Sequence, residues 1–398
     1  MENLLLLIHR IPYPPNKGDK IRSFHLLKHL AQHYRVHLAT FVDDEDDWQH
    51  VPVVQALCAS SYFGKLNPLT GKLRSLAALA STRSLSFDYY RSGEMQAWVD
   101  QTMAAHKIDR VLVFSSPMAQ YAENYASARR VVDFCDVDSD KWRQYAGQKP
   151  WPMSWLYRRE ADTLLAYERH VAATCDASLF VSDPEAQLFR TLAPESAAKI
   201  GFFNNGVDTE YFSPERAYQR PYGAGMSGRW CLRGAMDYWP NIDAVQWFAT
   251  EIFPRLYAAT PDLRFYIVGA RPTAAVTALG QLPGVTVTGT VPDVRPYIHH
   301  AEVTVAPLRI ARGIQNKVLE AMAMARPMVV SPQALEGIDA QPGTELLLAD
   351  GAEAFISTLS SLVTTPNPAL GGAARSKVER QYSWPSNLAR IEARLECS

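Results

Sequence analysis

The alternation of short apolar runs with longer helical patterns restricts this chain to one class of fold. Leu4–Ile8, Val36–Phe41, Arg110–Phe114, Arg130–Phe134, Ala177–Val181 and Lys199–Asn204 read as strands, each followed by a longer segment with helical patterning. Runs of this kind mark parallel strands covered on both faces by crossover helices. After Asn204-Asn205-Gly206-Val207-Asp208 comes a stretch bearing Pro and Gly to about Gly228, and the alternation then restarts. Trp230–Arg233, Leu263–Val268, Val285–Thr288, Val303–Ala306 and Met328–Val330 are the expected strands of the second half, with helices near Ile242–Leu256 and Lys317–Ala325. A chain of 398 residues exceeds what one core holds. The expected architecture is therefore α/β, two doubly wound units at 1–205 and 229–383 that face each other across a cleft, with 206–228 as the linker. A terminal helix is expected at 384–398.

Forty Lys and Arg against forty-one Asp and Glu leave a formal charge of −1, so there is no global electrostatic footprint for nucleic acid. The five cysteines, Cys58, Cys135, Cys175, Cys231 and Cys397, are scattered and show no metal-ligand spacing. They read as reduced thiols of a cytoplasmic protein. The start, Met1-Glu2-Asn3 and then Leu4–Ile8, lacks the basic flank and length of a signal peptide. No apolar run is long enough to span a bilayer. Peripheral attachment to the inner face of the plasma membrane is a separate expectation. Residues 63–103 interleave Lys65, Lys72, Arg74, Arg83 and Arg91 with leucines and aromatics, and Trp155, Tyr157, Arg158 and Arg159 form a second such patch. The alternative is ordinary amphipathic packing against the sheet.

The densest polar signal runs from Arg312 to Pro327, a loop turning into a helix. Gly313 allows close backbone approach, and Gln315 or Asn316 is placed to cap a helix whose N-terminal amides favour anions. Lys317 adds a full positive charge in the first turn, where the dipole repels a cation unless an anion compensates. Glu320 lies one turn on, where a carboxylate can accept from ribose hydroxyls. The alternative is a solvated helix start with a surface Lys/Glu pair. Other loops at strand carboxyl ends carry His9, Gly18, Asp19, Lys20 and Arg22, and the acidic group Asp133, Asp136, Asp138 and Asp140. Asp136-Val137-Asp138 matches the letters of an Asp-x-Asp metal motif, but carboxylates two apart in a loop are common turn formers, so no metal is expected.

Taken together, Arg10–Arg22, Phe180-Val181-Ser182-Asp183-Pro184-Glu185-Ala186, Asn204–Pro214, Ile267-Val268-Gly269, Val287–Val294, Ala306-Pro307-Leu308 and the Gly313–Met324 run resemble family 4 retaining glycosyltransferases of the GT-B fold, two Rossmann-like domains. With Met236-Asp237-Tyr238-Trp239-Pro240-Asn241, the detailed pattern is most similar to sugar transferases of exopolysaccharide clusters that accompany exosortase/PEP-CTERM systems. The resemblance implies transfer from a nucleotide-diphosphate sugar to a saccharide or polyprenyl-linked acceptor with retention, without metal or other cofactor. It places Gly234, Gly269, Val291, Asp293, Gly313, Ile314, Gln315, Asn316 and Glu320 at the donor. It makes Arg312 and Lys317 the cations of the leaving group, and sets Asp136, or else Asp133 or Asp138, near the reactive carbon. His9, Gly18, Asp19, Lys20 and Arg22 form the acceptor and phosphate loop. Two departures stand out. Arg312 occupies the position of the family's first glutamate, and the Arg and Lys that usually follow the first donor-domain strand are absent, with Ala235 after Gly234 and Asn241 near the later position. A catalytically silent GT-B partner subunit and a sugar-nucleotide epimerase are the alternatives.

Overall fold

The computed structural model describes residues 1–15, 17–66, 71, 79, 83–222, 229–311 and 314–396. The chain forms two compact units, Met1–Asn204 with Leu388–Ser398, and Asn205–Asn387.

The first unit is built on seven strands, β1 Asn3–Ile8, β2 Arg35–Val42, β3 Ser60–Lys65, β4 Arg110–Phe114, β5 Arg129–Cys135, β6 Ala177–Phe180 and β7 Ile200–Phe202. All pair in parallel, in the order β3-β2-β1-β4-β5-β6-β7. Leu4, Leu5, Leu6, Leu7 and Ile8 are all at 0% exposure, which is why the strand is apolar at every position from Leu4 onward rather than at alternate ones. Truncating Leu6 to alanine in such a site costs about 2–5 kcal/mol. The second unit holds β8 Arg229–Arg233, β9 Arg264–Val268, β10 Val285–Gly289, β11 Val303–Ala306, β12 Met328–Val330 and β13 Leu347–Leu348, in the order β10-β9-β8-β11-β12-β13. Counted from its own first strand, this sheet repeats the winding of the first, and each is the order of a doubly wound dinucleotide-binding sheet.

Two strands escape the sequence reading. Ser60–Lys65 lies at the sheet edge, only partly covered, and carries few aliphatics. Leu347–Leu348 is a two-residue strand defined by pairing with Val329 and Val330. The helix expected at Ile242–Leu256 is three pieces, Trp239–Trp247, a π-helical turn Phe248–Ile252, and Phe253–Ala259. Pro254 has no N–H to continue the ladder, which accounts for the break. Of the segment marked as linker, Val207, Phe212 and Tyr222 are buried in the second unit, and Val207 N–H donates to the Tyr382 carbonyl at 2.7 Å. Cys58, Cys135, Cys175 and Cys231 are free thiols. Among the described residues no helix is long and apolar enough to cross a membrane.

Candidate functional site

In an open doubly wound sheet, ligands sit outside the strand carboxyl ends where the winding reverses. In the second unit that point lies between β8 and β11. Arg233 is the last residue of β8, and the helix Asn316–Ala323 begins after the loop that leaves β11. The Arg233 guanidinium donates to Glu320 Oε2, and the Lys317 ammonium donates to Asn241 Oδ1. Asn241 is buried and held in turn by its own amide, which donates to the Ala235 carbonyl at 2.9 Å. The glycines explain how these groups come so close. A Cβ on Gly234 would stand 2.6 Å from Asn241 Nδ2, and one on Gly269 would stand 1.6 Å from the Gly234 carbonyl oxygen. Gly234 and Gly269 are therefore where the ends of β8 and β9 close on each other.

Two cations thus meet one carboxylate at the mouth of this sheet. Burial lowers the Lys317 pKa to about 8, and Arg233 pushes it the same way while Glu320 opposes. Burial raises the Glu320 pKa against the pull of Arg233 and Lys317. The first amides of the helix, including those of Asn316 and Lys317, have no acceptor within it and add partial positive charge. Gln315 occupies the N-cap position without a side-chain capping bond, and the buried Asn316 Oδ1 has no hydrogen-bond partner among the described residues. Ile314 packs against the core of this unit. Arg312 and Gly313 lie outside the described residues. What has gathered is two cations and one carboxylate at the start of a helix.

Val291 packs on the small cluster around Tyr222, Tyr266 and Val268. Asp293 caps the turn that follows, accepting from Arg295 N–H at 2.9 Å, and its carboxylate also takes the Arg295 guanidinium at 2.7 Å. Arg295 in turn lies 3.7 Å over the Tyr211 ring.

The first unit reverses its winding between β1 and β4. His9 follows β1, stacks on Phe114, and sets Nε2 3.5 Å from Asp19 Oδ2. Arg10 joins Asp19 to Asp43 at 3.0 Å each. Burial pushes the Asp19 carboxyl up, but the hydrogen bond and charge of His9, with Arg10, hold it well below the usual carboxylate range. Gly18 opens the helix Gly18–His33 with open space where a Cβ would be. His9, Gly18 and Asp19 therefore sit at this switch point, whereas Lys20 and Arg22 are turned inward. Lys20 is 2% exposed and bound to Asp47 at 2.6 Å. Arg22 is 0% exposed, held by both Asp133 oxygens at 2.8 and 3.0 Å and by the Phe203 carbonyl at 3.1 Å. Neither cation is available to a phosphate, and Asp133 is a buried counter-ion rather than a reacting group. Asp136 and Asp138 share the Lys141 ammonium at 2.7 and 3.1 Å. A cavity of about 690 Å³ in this unit is lined by Arg83, Phe87, Arg91, Gln120 and Tyr167 and by none of the residues singled out for chemistry.

Residues 230–365 match the family model described as "Glycosyl transferases group 1". Comparison with curated protein sequences gives no match. Among solved structures, the chain is similar to sucrose-phosphate synthase from Thermosynechococcus elongatus, at 16% identity and a TM-score of 0.69 over 99% of this chain and 98% of that one. It is similar to Anabaena HepE in complex with UDP and glucose, at 13% identity and a TM-score of 0.66 over 100% of both chains. It is also similar to WaaG, a glycosyltransferase involved in lipopolysaccharide biosynthesis, at 14% identity and a TM-score of 0.63 over 99% and 100%. The fold is GT-B. Arg233 and Lys317 both lie within the residues that this family model matches.

Arg233 is the residue that sequence reading passed over, because it was absorbed into a strand. Its signal was a cation as the last strand residue directly before Gly234, a position that topology aims at the ligand side. With Lys317 it puts two positive charges next to the loop whose usual clamp is absent from the sequence.

Proposed function

We propose that this chain transfers a sugar from a nucleotide-diphosphate sugar to a hydroxyl of a saccharide or polyprenyl-linked saccharide, with retention, in exopolysaccharide assembly. Arg233 and Lys317 beside Glu320, at the switch point of a group 1 glycosyltransferase domain, carry this reading. The barrier to sugar transfer is departure of the diphosphate as positive charge grows on the ring, and fixed cations and helix amides aimed at the leaving group lower it. Lys317 and the Asn316–Ala323 amides take the phosphates, Arg233 and Arg312 add charge, and Glu320 accepts from ribose. The backbone from Val291 to Asp293 borders the base. His9 and Asp19 are assigned to the acceptor, and Asp136 to the reacting carbon. HepE is known with UDP and with UDP-glucose, which supports a donor of that class.

A lipid-linked acceptor fits a second feature. Helices Asp138–Gln148 and Met153–Thr174 form a hairpin that exposes Trp151 in its turn at 81% and, on the flanking helices, Trp155 at 55% and Tyr145 at 50%, with Lys149 and Arg158 also exposed. Tryptophan with neighbouring basic residues suits the headgroup region of an anionic bilayer. Within 63–103, residues 67–70, 72–78 and 80–82 lie outside the described residues, and the described Lys65 is paired with Glu45.

The test is calorimetric titration of the protein with a panel of nucleotide diphosphates and nucleotide sugars, followed by NMR of the product anomer. Binding of one donor that is lost in Arg233→Ala and Lys317→Ala supports the reading. If the folded wild type binds none of the panel, the silent-subunit alternative takes its place.

A further inference from the structure

His29 and His33 lie four residues apart on the helix Gly18–His33, so their rings share a face. Glu392, on the C-terminal helix Trp384–Glu396, meets both. Its Oε1 stands 3.0 Å from His29 Nε2 and 3.3 Å from His33 Nε2. The three ligand atoms lie within 4.8 Å of one another.

His29 Nε2 and Glu392 Oε1 are buried atoms 3.0 Å apart. The second imidazole approaches the same carboxylate oxygen, so two imidazole nitrogens converge on it. Around a tetrahedral ion with bonds of about 2.0–2.2 Å, neighbouring ligand atoms stand about 3.4 Å apart, close to the two nitrogen–oxygen separations here.

We propose that His29, His33 and Glu392 bind a divalent first-row transition ion of the zinc class. Two imidazole nitrogens and one carboxylate oxygen form a ligand set suited to zinc, cobalt or nickel, with further positions left to water. The His33 side chain is 48% exposed, which provides the entry path. The ion sits apart from every residue assigned above to sugar transfer, and its effect is structural. It clips residue 392 to residue 33 and so fastens the end of the chain to the first unit, where Leu388, Ile391 and Leu395 are already buried. An ion bound only by the folded state raises its stability by mass action.

The experiment uses the full chain after chelator treatment and dialysis. Zinc chloride is titrated calorimetrically, cobalt chloride is followed by visible absorption, and melting is recorded with and without zinc. The expected result is one zinc per chain, a cobalt spectrum of low coordination number, and a zinc-dependent rise in Tm. All three weaken by more than about tenfold in affinity, or vanish, in His33→Ala and Glu392→Gln, while the remote surface variant His170→Ala keeps them. His33→Cys preserves a ligand and should retain binding with an added thiolate-to-cobalt band. Circular dichroism of each variant verifies the fold. Equal zinc affinity in the wild type and His33→Ala, or the same cobalt spectrum in Glu392→Gln, would overturn the proposal.

Discussion

Arg22 and Arg233 each meet a single carboxylate at the carboxyl end of a parallel sheet, yet they serve opposite ends. Arg22 and Asp133 are both at 0% side-chain exposure, joined through two parallel hydrogen bonds, and the guanidinium also lies 3.5 Å over the Phe203 ring. Every donor face is consumed by the protein. Arg233 keeps 31% of its side chain exposed while Glu320 keeps 7%. One pair is sealed and holds β5 to the first helix. The other leaves a cation facing solvent at a switch point, with Lys317 beside it. Charge type alone does not distinguish a sealed arginine from one left open to solvent. What distinguishes them is how much of the guanidinium the fold has already used.

The sealed pair gives the largest effect. Arg22→Met leaves the Asp133 carboxylate buried without its partner, and a break of this kind costs about 3–5 kcal/mol. Chemical denaturation should show that loss, and Arg22→Met combined with Asp133→Leu should recover most of it, since two apolar groups leave no charge to compensate. A double variant no more stable than the single would mean that Arg22 works mainly through Phe203. Arg233→Met should cost less stability, because Lys317 remains as a counter-charge to Glu320. Its signature is in binding. Loss of one charge-assisted hydrogen bond to phosphate, about 1.5–3 kcal/mol, weakens a nucleotide diphosphate about 10- to 100-fold by calorimetry. If Arg233→Met lowered stability as much as Arg22→Met and left nucleotide affinity untouched, the two pairs would be the same device.

The same contrast shows what a sequence can and cannot reveal. Leu4–Ile8 is legible because burial on both faces demands an apolar residue at each position, and that need is local. Ser60–Lys65 is not, since an edge strand with partial cover tolerates Ser, Tyr and Lys. Lys317 and Glu320 were legible as a pair because a helix sets their spacing. Arg22 was misread because its partner Asp133 is 111 residues away and nothing near Arg22 announces it. Arg233 was missed for the converse reason. Its meaning depends on which strand neighbours β8, and β11 begins seventy residues further along.

Lys317 sharpens the comparison through pH. Its folded pKa of about 8 lies below the ordinary lysine value. Between about pH 8 and the unfolded value the unfolded chain binds more protons, so this group makes stability rise with pH across that window. Anion binding runs the other way, because the deprotonated amine no longer attracts phosphate. Nucleotide diphosphate affinity should therefore fall several-fold as pH rises through 8, with proton uptake on binding near pH 8 visible as a dependence on buffer ionisation enthalpy. Lys317→Arg stays charged and should flatten both dependences. An unchanged profile in that variant would assign the titration to another group.

Glu320→Gln should produce the smallest change in stability, and the reason lies in the open character of its pair. The substitution removes the charge but keeps the shape and an acceptor oxygen, while Arg233 can turn its exposed face to water. Burial raises the Glu320 pKa despite Arg233 and Lys317, so the native state binds more protons than the unfolded chain between the ordinary and the raised values. Stability from this group is thus lost as pH rises through that window. Melting temperatures measured from acid to neutral pH should show a shallower decline in Glu320→Gln. Nucleotide affinity should drop modestly, because an amide accepts a ribose hydroxyl less strongly than a carboxylate does. A loss as large as that expected for Arg22→Met would show that Glu320 holds the second unit together, and that its pair belongs with the sealed one.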